Sequence, residues 1–190
     1  MTFARRVFAG LVMVCAMTAA VPSTAKAQDV INKDSAAEMK ASFLADLQVM
    51  EDKFVGLANA FPADKYTWRP MDGVRSVSEV FMLAAFEGYN FIPTSFGAKA
   101  ANLGTTEEAN KLRTLSDKAQ VLDHLKKGFA YARAQLTAID PATLTGKRAL
   151  FGQQRSMSQI AFLVGGDLHE HLGQMIAYAR TNHIVPPWSK

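Results

Sequence analysis

The 190-residue chain has 21 lysine and arginine residues and 17 aspartate and glutamate residues, and its formal net charge is +4. Three of the 21 basic residues and the single cysteine lie within residues 1–27, which leaves 18 basic residues against 17 acidic ones from residue 28 onwards. A nearly neutral remainder gives no electrostatic case for nucleic-acid binding. The absence of cysteine from residue 28 onwards also excludes disulfides, thiol catalysis and cysteine-bound zinc in this part of the chain.

Residues 1–27 have the pattern of a bacterial secretory signal peptide. Two arginines precede an apolar run from Val7 to Ala20, and Ala25-Lys26-Ala27 ends the segment with the small-residue pattern that signal peptidase recognises. The apolar run is too short for an ordinary membrane-spanning helix. We therefore expect cleavage after Ala27 and a periplasmic or secreted protein with no membrane attachment after cleavage. An uncleaved N-terminal anchor and lipidation at Cys15 are the alternatives.

The remaining chain is long enough for one domain. Residues 28–34 are polar and predict a flexible lead-in, and residues 35–190 predict the domain itself. A first helix is indicated by apolar residues that recur every three or four positions and stop before Pro62. These residues are Met39, Phe43, Leu47, Met50, Phe54, Leu57 and Phe61.

A second helix begins at Ser76, because Ser76 and Glu79 have the spacing of a capping box. Its apolar face is formed by Val77, Val80, Leu83, Ala84 and Phe91, and Glu87 falls in the middle of that face. A carboxylate at such a position reaches water, completes a buried polar network, or belongs to a functional site.

Two further helices follow the two long connectors, at residues 93–114 and 143–155. The third begins after Ser116 and ends at Asp140-Pro141, and the fourth begins at Ser156 and runs to about Asn182. With four amphipathic helices and no convincing strand pattern, the sequence predicts an all-α four-helix bundle with long connectors between helices 2 and 3 and between helices 3 and 4.

The fourth helix has polar residues on its inward face. Asp167, His171, Gln174 and Tyr178 continue the line of apolar residues that begins with Ile160 and Val164, whereas His169 falls on another side of the helix. A carboxylate and an imidazole facing a bundle interior need a partner. The two groups can pair with each other, with a charge on the facing helix, or with a metal ion.

Four segments resemble the DinB-like superfamily, and the resemblance covers nearly the whole chain from residue 35 onwards. The segments are Phe61–Pro70, Gly73–Val80, His169–Arg180 and Pro186–Trp188. The resemblance implies a four-helix bundle that binds a divalent metal, often zinc or nickel, through three histidines. Some members are thiol-dependent transferases or isomerases, and most have no assigned activity.

Carried over residue by residue, the resemblance is only partial. His171 matches a family histidine, Asp167 replaces a second one, and Leu83 stands where the second-helix histidine is expected. Glu87 lies one helical turn beyond Leu83 on the same face, so Glu87, Asp167 and His171 form an alternative ligand set that suits Fe(II), Mn(II) or Zn(II). The competing interpretation is a metal-free polar network.

Four other residues are predicted to surround this site: Gln174, Tyr178, Leu83 and, at its rim, Glu170. The function predicted from this arrangement is divalent-metal-dependent hydrolysis or group transfer on a small molecule bound between helices 2 and 4, with Zn, Mn, Fe or Ni as the metal and no nucleotide cofactor. The alternative is a non-catalytic ligand-binding or stress-response bundle whose metal site has degenerated. Pairing of two copies into a homodimer through an exposed helix face is a third expectation.

Overall fold

The computed structural model describes residues 31–189, so the predicted signal peptide lies outside the described residues. The helices are α1 (Lys33–Ala60), α2 (Val77–Phe86), α3 (Ile92–Ser95), α4 (Thr106–Arg113), α5 (Lys118–Ala138) and α6 (Met157–Thr181). The two strands are β1 (Lys147–Leu150) and β2 (Gln153–Ser156). Single turns of 3₁₀-helix lie at Ala63–Lys65 and Pro141–Leu144. Between residues 31 and 189, no helix combines the length and hydropathy needed to cross a bilayer.

The first predicted helix is α1, and its repeating apolar residues form the buried stripe that the spacing predicts. From Phe43 to Leu57, the apolar positions of this repeat are all buried. The helix begins at Lys33, so the last two residues assigned to the lead-in are helical. Its cap is Asn32, whose side chain accepts a hydrogen bond from the backbone N–H of Ser35.

The core forms where α1 and α2 each pack against both α5 and α6. Aromatic rings connect these elements, with centroid separations of 5.8 Å for Phe54 and Phe129 and 6.0 Å for Phe61 and Phe81. Rings at such separations add to the stabilisation that comes from burying apolar area. The helical class of the fold is therefore confirmed, and these four helices correspond to the four predicted from apolar periodicity.

The connector before α6 differs from the prediction because it contains a β-hairpin. Strands β1 and β2 pair antiparallel, with Leu150 opposite Gln153. The two residues between them, Phe151 and Gly152, have φ angles of 51° and 72°. Positive φ at both positions is what two-residue hairpin turns of the I′ type require. The prediction missed the hairpin because phenylalanine seldom occupies the first position of such a turn.

The second predicted helix is not a uniform α-helix. After α2, residues Glu87–Phe91 form one turn of π-helix, and the backbone N–H of Ile92 donates to the carbonyl of Glu87, five residues earlier. Single π-helical turns are rare in proteins, and those that occur are often found at functional sites. Because the wider turn begins at Glu87, it changes the direction of the residues that follow this carboxylate.

The capping box at the start of α2 gives a stability prediction. The Ser76 side chain accepts from the N–H of Glu79, while the Glu79 carboxylate accepts from the N–H of Ser76 at 2.6 Å. Ser76→Ala should lower the free energy of unfolding by about 1 kcal/mol, measured by chemical denaturation. The equivalent substitution Thr105→Ala is the control. It should have a smaller effect, since α4 buries none of its residues.

The same capping box predicts a pH dependence. The hydrogen bond from Ser76 lowers the pKa of Glu79 below its usual value of 4.5. A lowered pKa in the folded state stabilises the protein above the unfolded-state pKa, and this contribution is lost as the pH falls through the folded-state pKa. Glu79→Gln should therefore remove part of the stability loss that the unsubstituted protein shows below about pH 4.5.

Candidate metal site between the second and sixth helices

Three side chains from two separate segments converge beside the core. Glu87 begins the π-helical turn after α2, and Asp167 and His171 lie one turn apart on α6. The Nε2 atom of His171 lies 3.3 Å from Oε1 of Glu87 and 3.8 Å from Oδ1 of Asp167. One ligand atom from each of the three residues lies within 4.8 Å of the others. These are the three residues that the sequence predicts as a ligand set, and the fold brings all of them together.

The site is closed at one end and open at the other. The side chain of Glu87 is 7% exposed, that of His171 18%, and that of Asp167 38%. The Oε2 atom of Glu87 is buried and has no hydrogen-bond partner among the described residues. A buried carboxylate oxygen without a donor is costly, and this feature distinguishes Glu87 from an ordinary surface acid.

The pKa values of both inner groups are raised, for different physical reasons. Burial raises the pKa of Glu87, with His171 opposing the effect. Interaction with Glu87 raises the pKa of His171 against the opposing effect of burial, and the charge of Asp167 acts in the same direction. Each carboxylate thus favours a positive charge at the position of the imidazole, which either a proton on the ring or a bound metal ion supplies.

A chain of hydrogen bonds sets the orientation of the His171 ring. The Tyr178 hydroxyl donates to the backbone carbonyl of Arg75 at 3.0 Å, so it has no proton left for Gln174. The Gln174 amide nitrogen therefore donates to the Tyr178 oxygen at 2.9 Å, and its Oε1 faces Nδ1 of His171 at 3.4 Å. Since an amide oxygen only accepts, Nδ1 of His171 must carry the proton.

This tautomer leaves the lone pair of Nε2 directed at two carboxylates. In the neutral ring the lone pair of Nε2 would face the oxygens of Glu87 and Asp167, which is electrostatically unfavourable. A proton or a metal ion at that position removes the conflict. The arrangement is the one found around metal-bound histidines, in which the second ring nitrogen donates to a neighbouring polar group.

The hydrogen-bond chain predicts that Tyr178 affects metal binding without touching the metal. Tyr178→Phe keeps the ring, which packs edge-on against Trp68 at 5.4 Å, but removes the hydroxyl that orients Gln174. We expect the affinity for a divalent metal to fall about 10-fold, measured by isothermal titration calorimetry. Tyr131→Phe is the matched control, because its hydroxyl also donates to a backbone carbonyl at 3.0 Å, that of Lys99. Equal losses in the two variants would contradict a specific orienting role.

Three adjoining cavities lie beside the ligand set. The aromatic cavity, of about 400 Å³, is lined by Leu83, Phe86, Glu87, Asn90, Phe91, Arg113, Phe151 and Asp167. The arginine cavity, also of about 400 Å³, is lined by Arg69, Gly73, Val74, Arg75, Glu79, Leu83, Arg113 and Thr114. A third, of about 470 Å³, is lined by Phe91, Phe151, Phe162, Leu163, Gly166, Asp167 and Glu170. Glu87 and Asp167 both line the aromatic cavity, so the ligand set faces a space large enough for a small molecule.

The other predicted site residues are also placed by the structure. Leu83 lines both the aromatic and the arginine cavities, and Glu170 is exposed at the edge of the third cavity. His169 lies on the outer side of α6, where its Nε2 is 3.1 Å from the Asp46 carboxylate on α1. The sequence prediction missed Arg113, which ends α4, and Phe151, at the hairpin turn, because both belong to segments that it treated as connectors.

Taken together, the fold and site define a helical protein with a candidate divalent-metal site of two carboxylates and one imidazole. A family model described as the DinB superfamily matches residues 46–175, and the chain belongs to that superfamily. The matched range contains Glu87, Asp167 and His171. No curated protein matches the sequence.

Proposed function

We propose that this chain is an exported DinB-superfamily protein that binds one divalent metal ion through Glu87, Asp167 and His171. The metal serves hydrolysis or group transfer on a small molecule held between α2 and α6. Helices α1, α2, α5 and α6 of the chain act as the four-helix bundle typical of the family. The observation that supports this most directly is the convergence of the three ligand atoms within 4.8 Å. Two carboxylates and one imidazole suit Zn(II), Mn(II) or Fe(II) and leave coordination positions open.

The residues present fit a metal ion for two further reasons. The Oε2 atom of Glu87 is buried without a partner, and the hydrogen-bond chain through Gln174 exposes the Nε2 lone pair of His171 to the same space. A bound divalent ion would supply a Lewis acid that polarises a carbonyl or lowers the pKa of a water molecule. Asp167, which is the most exposed of the three, lies on the side from which a substrate enters.

The experiment that tests the proposal is metal analysis of the purified protein after growth with added Zn, Mn, Fe and Ni. We expect about one divalent ion per chain, and loss of that ion in Asp167→Ala and His171→Ala. His169→Ala is the control, because His169 lies on the same helix and also contacts an aspartate, yet it points away from the site. Absence of stoichiometric metal under all four supplements would contradict the proposal.

A non-catalytic role is the second candidate, and the continuity of the polar network favours it. Glu87, His171, Gln174 and Tyr178 already form a continuous chain to a backbone carbonyl. In this case the cavities hold a small ligand and the metal site of the family has degenerated, as the leucine at position 83 suggests. Copurification of an organic molecule with the metal-free protein would support this second role.

Export rests on residues 1–27, which have the charge, apolar run and small-residue ending of a signal peptide. We expect the chain recovered from a periplasmic fraction to begin at Gln28. N-terminal sequencing measures this directly. A chain that begins at Met1 and stays with the membrane fraction would instead indicate an uncleaved anchor.

A further inference from the structure

The aromatic cavity and the arginine cavity adjoin each other next to the candidate metal site. Leu83 and Arg113 line both of them, and Glu87 and Asp167 line the aromatic one. Leu83 gives this boundary an apolar surface. A molecule bound across the boundary would contact both cavities and the ligand set at once.

The arginine cavity has an excess of positive charge. Arg69, Arg75 and Arg113 line it, and its acid is Glu79. Glu79 is already engaged, since it caps α2 and pairs with Arg69 at 3.3 Å. Arg113 forms no ion pair or hydrogen bond with any residue between 31 and 189; its guanidinium carbon lies 4.0 Å from the centroid of the Phe86 ring. An arginine fixed over an aromatic ring, with its donors free, is suited to bind a carboxylate.

Phe91 and Phe151 also line the aromatic cavity. Their ring centroids lie 5.8 Å apart, with an angle of 33° between the planes. Phe151 is 69% exposed and has a φ of 51°, a conformation that costs a bulky residue free energy. An exposed aromatic ring held in an unfavourable backbone conformation beside a candidate site indicates a role in contacting a ligand, because it contributes little to the core.

We propose that the two cavities bind a small carboxylate-bearing molecule with an aromatic body, its carboxylate on Arg113 and its ring against Phe91 and Phe151. This inference deepens the proposed function by naming the class of substrate. It rests on the proposed function only for the reaction that the metal site performs on the bound molecule. The binding itself depends on Arg113 and Phe151. Neither residue is in the metal ligand set.

The test compares phenylacetate with phenylacetamide, its neutral analogue of the same shape, and with acetate, which lacks the ring. Binding is followed by amide chemical shifts in NMR titrations of the protein as purified and after treatment with a chelator. The chelated arm is decisive, because there the carboxylate has no metal ion to bind. We expect phenylacetate to bind about tenfold more tightly than phenylacetamide, with acetate weakest, and the shifts to cluster around Arg113 and the hairpin.

Two variants separate the contributions of charge and ring. Arg113→Gln should abolish the preference for phenylacetate over phenylacetamide. Phe151→Gly should weaken both by about fivefold and preserve the turn, since glycine favours a positive φ. Arg180→Gln, an exposed arginine on α6 that lines none of the three cavities, is the control and should leave both affinities unchanged.

Several results would overturn the inference: no saturable shifts with phenylacetate, equal affinity for phenylacetate and phenylacetamide, or a preference that survives Arg113→Gln in the chelated protein. Failure of the proposed metal site would give a different result: the purified protein would contain no metal, while the chelator-treated protein would still bind the three probes with the expected affinities.

Discussion

Glu87→Gln is expected to lower the affinity for a divalent metal by at least about 100-fold without destabilising the metal-free protein. The first effect follows because the substitution removes the innermost of the three candidate ligands. The second follows because Glu87 is buried with one oxygen that has no partner in the described part of the chain, and burial raises its pKa. Glutamine has nearly the same shape and no charge, so it relieves the desolvation cost without opening a cavity.

Titration calorimetry measures the metal affinity of this variant, and denaturation with and without a chelator measures its stability. The unsubstituted protein should be stabilised by added metal, as any ligand that binds only the folded state stabilises it, and Glu87→Gln should lose that stabilisation. Glu170→Gln is the control, since it removes an exposed carboxylate from α6 at the edge of the third cavity. If Glu87→Gln destabilised the chelated protein by more than about 2 kcal/mol, Glu87 would be a structural partner of His171, as in the metal-free network.

The main helices and the shared face of Asp167 and His171 could be predicted from the sequence because both depend on local periodicity. The capping boxes at Ser76 and Ser156 fixed the starts of α2 and α6, and the structure confirms both. Asp167 and His171 fall on one face because they are four residues apart on one helix. Placing Glu87 opposite them required only that its helix pack against α6, which the apolar faces of the two helices indicate.

The π-helical turn and the cavities could not be predicted in the same way. A π-helical turn has no strong sequence signal, since it depends on how the chain packs after Phe86. The cavity walls come from segments that are distant in sequence: Arg113 ends α4, and Phe151 is at the tip of the hairpin. Their meeting beside Leu83 is a result of tertiary packing, and periodicity within a single helix carries no information about it.

The largest effect on stability is expected from adding a methyl group where α5 crosses the end of α2 and the π-helical turn that follows it. A Cβ on Gly128 would lie 2.9 Å from the Cα of Ala85, and a Cβ on Gly88 would lie 3.0 Å from the Cα of Gly128. The atoms in the way belong to backbone and cannot rotate aside, so the two segments must separate. Gly128→Ala should therefore lower the free energy of unfolding by about 3 kcal/mol and the melting temperature by about 10 °C.

Gly173→Ala on α6 is the matched control for this prediction. Its Cβ would have no neighbour within 4 Å, so only the intrinsic preference of helices for alanine acts, and we expect a gain of about 0.5–1 kcal/mol. Both variants are measured by calorimetric unfolding. A Gly128→Ala protein as stable as the unsubstituted one would show that α5 and α2 are not in backbone contact at Gly128 and Ala85. Glu87 follows Ala85 by two residues and immediately precedes Gly88, which itself packs on the backbone of Gly128, so the same crossing positions the innermost candidate ligand. A stable Gly128→Ala variant would therefore also count against the helix crossing that positions Glu87 opposite His171.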